Sequence, residues 1–161
     1  MTATTRMPRG VERDGVDYFF VAPEEFERML QRGELLEHAT VYGYRYGVPR
    51  APIRQALEAG QDVLLRTDIQ GARYIKSILP SAVTIFVAPP SPAELERRLR
   101  SRAVDTPQQI DLRLRIAHLE MAVAAEFDYT VVNADLAHCA EEIEAILAQE
   151  RGRPDREPPQ L

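Results

Sequence analysis

Thr4 to Phe20, TTRMPRGVERDGVDYFF, is the stretch on which the reading of this chain turns. Arg6 and Arg9 stand on either side of Pro8. Proline fixes its own φ and pushes Met7 toward extended geometry, so the two arginines sit on a stiffened segment. Their guanidinium groups can converge on one anion. A phosphate suits them, because the planar guanidinium fork donates two parallel hydrogen bonds. Asp14-Gly15 is a tight-turn signal. Tyr18, Phe19 and Phe20 read as a short strand that brings a hydroxyl beside the arginines. On spacing alone, a basic solvated arm followed by an edge hairpin accounts for the same residues equally well.

Beyond this segment, helical and strand signals alternate. Pro23 to Arg32 reads as a short helix with Phe26, Met29 and Leu30 on one face and Gly33 after it. Leu35 to Tyr42 reads as a strand, Pro49 to Ala59 as a second short helix closed by Gly60, and Asp62 to Thr67 as a largely apolar strand. Gly71 to Leu79 reads as a helix stopped by Pro80. Ala82 to Ala88 is a continuous apolar run, expected of a strand buried on both faces of a parallel sheet. Ser91-Pro-Ala-Glu94 and Thr106-Pro-Gln-Gln109 are capping boxes. They open a helix to about Ser101 and a long helix to about Glu126. Tyr129 to Val132 is the last strand, and Leu136 to about Arg151 the last helix. The alternation from Asp62 onward predicts an α/β fold with a parallel sheet. Residues 2–58 form a smaller α+β lobe, and residues 151–161, rich in proline and charge, are expected to be disordered.

Composition narrows the function. With 161 residues, 45% hydrophobic content and 28% charge, the chain is expected to be one soluble domain with a real core. A net charge of −5 argues against general nucleic-acid binding. Cys139 is the only cysteine, which excludes an internal disulfide framework and fits a reducing cytoplasm. No apolar signal region opens the chain and no run approaches a membrane span. His38, His118 and His138 lack ligand-like spacing, so no metal site is expected from protein ligands alone. Lys76, the only lysine, follows no glycine-rich loop. A phosphate loop needs G-x-x-x-x-G-K-[ST], in which backbone amides cradle the phosphates and the lysine reaches the β and γ oxygens. Gly10 to Gly15 has the glycine spacing, but Val16 and Asp17 follow it. These residues contain no such loop.

The quoted stretch resembles the guanylate kinase motif T-T-R-x-P-R-x-G-E-x-x-G-x-x-Y-x-F. Glu34-Leu-Leu-Glu37-His-Ala39, Tyr46-Gly-Val-Pro49, Asp68-Ile-Gln-Gly-Ala72, Pro89-Pro-Ser91 and Val131-Val-Asn133-Ala-Asp135-Leu136 follow in that family's order and spacing. The resemblance covers roughly residues 2–150. It implies a P-loop nucleoside monophosphate kinase-like parallel sheet, a small α+β GMP-binding lobe over about 2–58 and a helical lid over about 100–113. The strand, P-loop and helix that precede the motif in the family are expected to be missing, leaving a gap in the sheet and edges open to self-association. The implied reaction is transfer of the ATP γ-phosphoryl group to GMP, with Mg²⁺. By resemblance Glu37 reads guanine, since a carboxylate accepts from N1–H and N2–H₂ together. Arg6, Arg9, Tyr18 and Tyr46 grip the GMP phosphate, and Thr2 touches the base. Asp68 lies near Mg²⁺ and the phosphates, Arg102 and Arg113 neutralise the transferring phosphoryl group, and Asn133 sits beside the ATP adenine.

Some positions depart from the pattern. Gly10-Val11 shifts the usual glycine, Val48 replaces a hydroxyl residue, Arg66 replaces an acidic one, and Ala103 and Ala134 replace a frequent Gly and Asp. Without a phosphate loop the chain alone is expected to be inactive. The alternative is a non-catalytic guanylate kinase-like module that binds GMP or an acidic or phosphorylated partner.

Overall fold

Two glycines turn the N-terminal segment back on itself. Gly10 (φ 55°) and Gly15 (φ 71°) lie in the left-handed region that residues with a Cβ disfavour. After the second turn, the Gly15 amide donates to the Tyr18 carbonyl at 2.8 Å and the Phe20 amide to Asp14 Oδ1 at 2.8 Å. The returning chain forms β2 (Phe19–Phe20), which lies parallel to β1 (Ala3–Thr4). The Phe19 amide also donates to the Thr2 carbonyl at 3.0 Å, so residue 2 is tied into the sheet instead of fraying.

The computed structural model describes residues 1–41, 43–101, 106–155, 159 and 161. They fall into two units, residues 1–82 with 158–161, and residues 83–157. In the first unit β3 (Leu35–Val41) and β4 (Tyr44–Pro49) pair antiparallel, and β4 pairs antiparallel with β1, giving the mixed order β2-β1-β4-β3. The helices α1 (Pro23–Gln31), α2 (Arg50–Glu58) and α3 (Ile69–Ile78) bury one stripe each. Phe26 of α1 packs with Ala3 and Leu35. Ile53 of α2 and Ile75 of α3, with Leu79 just past its end, pack on Leu36 and Val48. Leu161 packs against this second cluster, and its backbone carbonyl accepts from Arg54 Nε at 3.0 Å.

The strand expected over Asp62 to Thr67 does not form. The segment has the alternation of a strand: Val63, Leu65 and Thr67 are half-buried, while Leu64, Arg66 and Asp68 are exposed. Among the described residues, however, it has no ladder partner. β-propensity describes fit to a sheet and cannot supply the neighbour, so Leu64 is left 79% exposed. Asp68 therefore caps α3 instead of ending a strand, its Oδ1 accepting from the Gly71 amide at 2.8 Å.

In the second unit β5 (Ile85–Ala88) and β6 (Tyr129–Val132) form a two-stranded parallel sheet. β5 is shorter than the apolar run, and it is not buried on both faces: Val87 is 47% exposed. Between the strands run α4 (Pro92–Ser101) and α5 (Pro107–Ala122), and α6 (Leu136–Arg151) follows β6. The Thr106 box closes reciprocally with Gln109. The Ser91 box is only half made. Ser91 Oγ accepts from the Glu94 amide, but the Glu94 carboxylate is taken by Arg97 and Arg98. The long helix stops at Ala122 and a 3₁₀ turn, Ala124–Glu126, completes its expected length. No helix of the described residues is long and apolar enough to cross a membrane.

Candidate nucleotide site

Arg6 is the anchor of the N-terminal segment. It is only 6% exposed, and four of its five N–H groups are engaged. Nε donates to the Tyr46 hydroxyl at 3.2 Å. Nη1 donates to the Met7 carbonyl at 2.8 Å and to Glu12 Oε2 at 2.9 Å, and Nη2 to Glu12 Oε1 at 3.0 Å. The guanidinium also lies over the Tyr18 ring, 5.3 Å from its centroid, and over Phe20 at 5.7 Å. Glu12 is held in turn by the Arg9 amide, 2.7 Å from Oε2. The hydrogen bond from Arg6, and then that from Arg9, keep the Glu12 carboxyl below the usual glutamate range.

Glu12 is a residue whose part the sequence did not disclose. Six positions separate it from Arg6, a spacing that belongs to neither a helix nor a strand. The turn at Gly10 brings them together, with the Glu12 amide donating to the Arg9 carbonyl at 3.1 Å. The shifted glycine thus still delivers Glu12 to the arginines. Arg9 itself projects into solvent. Tyr18 and Tyr46 are half-buried and meet edge to face, with centroids 6.4 Å apart. A further cation approaches from the extended segment: Arg66 Nη2 donates to the Tyr18 hydroxyl at 3.3 Å.

Glu37 lies on β3, where the sheet meets the start of α3. It is 8% exposed, and no donor among the described residues hydrogen-bonds its carboxylate. Burial, and secondly the negative charge of Asp68, push its pKa up from the ordinary glutamate value. The carboxylate rests against Gly71: a Cβ placed there would stand 3.0 Å from Glu37 Oε2 and 2.9 Å from Thr67 Cβ. Only glycine lets the first turn of α3 approach so closely. Glu37, Gly71, Gln70 and Tyr74 share a cavity of about 400 Å³ with Leu30 and Leu35.

Of the other sequence-predicted residues, Thr2 is half-buried beside β2. Val48 is 5% exposed and packs in the Leu36 cluster, so the position that usually carries a hydroxyl serves the core here. Arg113 is half-buried on α5, and Asn133 follows β6, where its amide donates to the Ala88 carbonyl at 2.8 Å and its carbonyl accepts from Arg98 at 2.9 Å. Arg102 and Ala103 lie outside the described residues, as do Tyr42 and residues 156–158 and 160.

The first unit thus brings together an arginine–tyrosine cluster and a largely buried glutamate whose carboxylate has no donor among the described residues. The sequence model of the family "Guanylate kinase" matches residues 1–150. A guanylate kinase of Clostridioides difficile is 44% identical over 156 residues, 97% of this chain and 76% of its own length. One from Cereibacter sphaeroides is 47% identical over 160 residues, covering 98% and 76%. The crystal structure of guanylate kinase from Anaplasma phagocytophilum is similar with a TM-score of 0.83 at 37% identity, over 96% of this chain and 76% of that one. The mixed α/β fold is shared with that enzyme, and the chain belongs to the guanylate kinase family.

Proposed function

We propose that these residues carry the GMP-accepting part of a guanylate kinase, the enzyme that moves the ATP γ-phosphoryl group onto GMP. The observation that carries the reading is Glu37, a largely buried residue whose carboxylate has no donor among the described residues, on the wall of a cavity. Its oxygens are open to that cavity, so a donor on an incoming base can reach them. Guanine offers two adjacent donors to such a group and adenine does not, so the same carboxylate both attracts GMP and discriminates against AMP. Arg6, Arg9, Tyr18 and Tyr46 form the phosphate end, and Thr2 flanks the base. Arg113 and Arg102 are read as cations for the transferring phosphoryl group, Asp68 as the acid on the Mg²⁺ side, and Asn133 as a neighbour of the ATP adenine. ATP and Mg²⁺ enter by family membership.

A second reading is favoured by one observation. The 161 residues contain no G-x-x-x-x-G-K-[ST], and Lys76 is committed elsewhere, its Nζ donating to the Ala82 carbonyl at 2.7 Å. Phosphoryl transfer depends on positioning the β and γ phosphates. These residues alone are therefore read as binding GMP without turning it over, as a guanylate kinase-like module, in a cytoplasmic setting. The ladder-less segment at Asp62 to Thr67 supports the expectation of an incomplete sheet with edges prone to self-association. Calorimetry with GMP and AMP tests the nucleotide reading. GMP binds more tightly if it is right, and equal affinities overturn it.

A further inference from the structure

The phosphate end of the site holds one arginine that is engaged and one that is open. Arg6 has a single N–H left, and its charge is opposed by the Glu12 carboxylate 2.9 Å away. Arg66 is the converse. It is exposed, it spends one N–H on the Tyr18 hydroxyl, and no carboxylate among the described residues pairs with it. Its nearest acidic neighbour in sequence, Asp68, has its Oδ1 occupied by the Gly71 amide. Tyr18 therefore stands between two guanidinium groups, one under its ring and one at its hydroxyl. The Arg6 side suits one phosphate and little more. The Arg66 side presents an unneutralised cation with a fork of free donors just beyond it.

We propose that Arg66 is a specificity-determining residue that makes this a diphosphate site. The first phosphate of a guanine nucleotide lies at Arg6, Tyr46 and Arg9, the second is bound by Arg66 beside the Tyr18 hydroxyl, and the pocket holds GDP more tightly than GMP. The proposal rests on the guanine-nucleotide reading above. Charge assistance and the bidentate geometry of arginine supply the preference. Solvent exposure of Arg66 limits it and makes it fall with added salt.

Calorimetry on the full chain, with EDTA present to remove divalent cations, reads the two affinities directly. GDP is expected to bind roughly twofold to fivefold more tightly than GMP. Arg66→Gln brings the ratio to about one, and Arg66→Lys, which keeps the charge and loses the fork, leaves it in between. Equal affinities for GMP and GDP in the wild-type chain overturn the proposal, as does a preference that survives Arg66→Gln. If GMP binds but GDP binds no better, only this inference falls. If neither nucleotide binds, the acceptor-site reading falls with it.

Discussion

Replacing Glu37 by glutamine should make the protein more stable and less selective at once. The carboxylate is 8% exposed, has no donor among the described residues and feels the charge of Asp68. Glutamine keeps the shape, removes the charge and still leaves a buried polar group. The net gain is therefore set by the charge alone, about 1 kcal/mol at neutral pH. For a chain of this size that is a rise of roughly 2–4 °C in melting temperature. The pH dependence gives the sign independently. Because the folded-state pKa of Glu37 is raised, the wild-type penalty is absent below the unfolded glutamate value of about 4.3 and fully present above the folded one. The advantage of Glu37→Gln should thus appear as pH rises through that window and vanish at acid pH. In the same variant the preference for GMP over AMP should fall roughly tenfold to a hundredfold. Thermal unfolding followed by circular dichroism at several pH values, paired with calorimetry, measures both. A variant less stable than wild type at neutral pH, or a gain independent of pH, would refute the argument that folding desolvates this carboxylate and sets it near the Asp68 charge.

Gly71→Ala should reduce the GMP preference although alanine is the better helix former by about 1 kcal/mol, because its Cβ would collide with Thr67 and crowd the Glu37 carboxylate; an unchanged GMP/AMP ratio in calorimetry would contradict this. Tyr46→Phe removes the acceptor of Arg6 Nε and should lower stability by about 1–2 kcal/mol in urea titration, with a several-fold weaker affinity for GMP. The 161 residues alone should form no GDP from ATP and GMP, and a coupled assay showing turnover of about 1–100 s⁻¹ would reject that expectation.

What the sequence discloses depends on where the partner of each residue lies. β6 and α6 begin and end where they were expected, because Asp135 caps the helix locally through the His138 amide. The Thr106 box was equally local. β1 and β4 escaped notice: Ala3–Thr4 is only a pair of residues, and YRYGVP carries a glycine and a proline where alternation would be sought. The error at Asp62 to Thr67 is of the opposite kind, a good strand sequence with no neighbour. Within the site, Arg6, Tyr18, Tyr46 and Glu37 were visible as motif positions. That Glu12 occupies Arg6, that Gly71 admits Glu37 and that Arg66 reaches Tyr18 were not, since these contacts are made by turns and by strand order.

The clamp of Glu12 on Arg6 bears on the thermodynamics of ligand capture. A free arginine side chain carries about 2 kcal/mol of rotamer entropy, and a phosphate binding to it must ordinarily immobilise it. Here four hydrogen bonds and two aromatic rings have already fixed the guanidinium. Its disorder is lost when the chain folds, not when a nucleotide arrives. The carboxylate that weakens its charge thereby spares the incoming phosphate the work of ordering it.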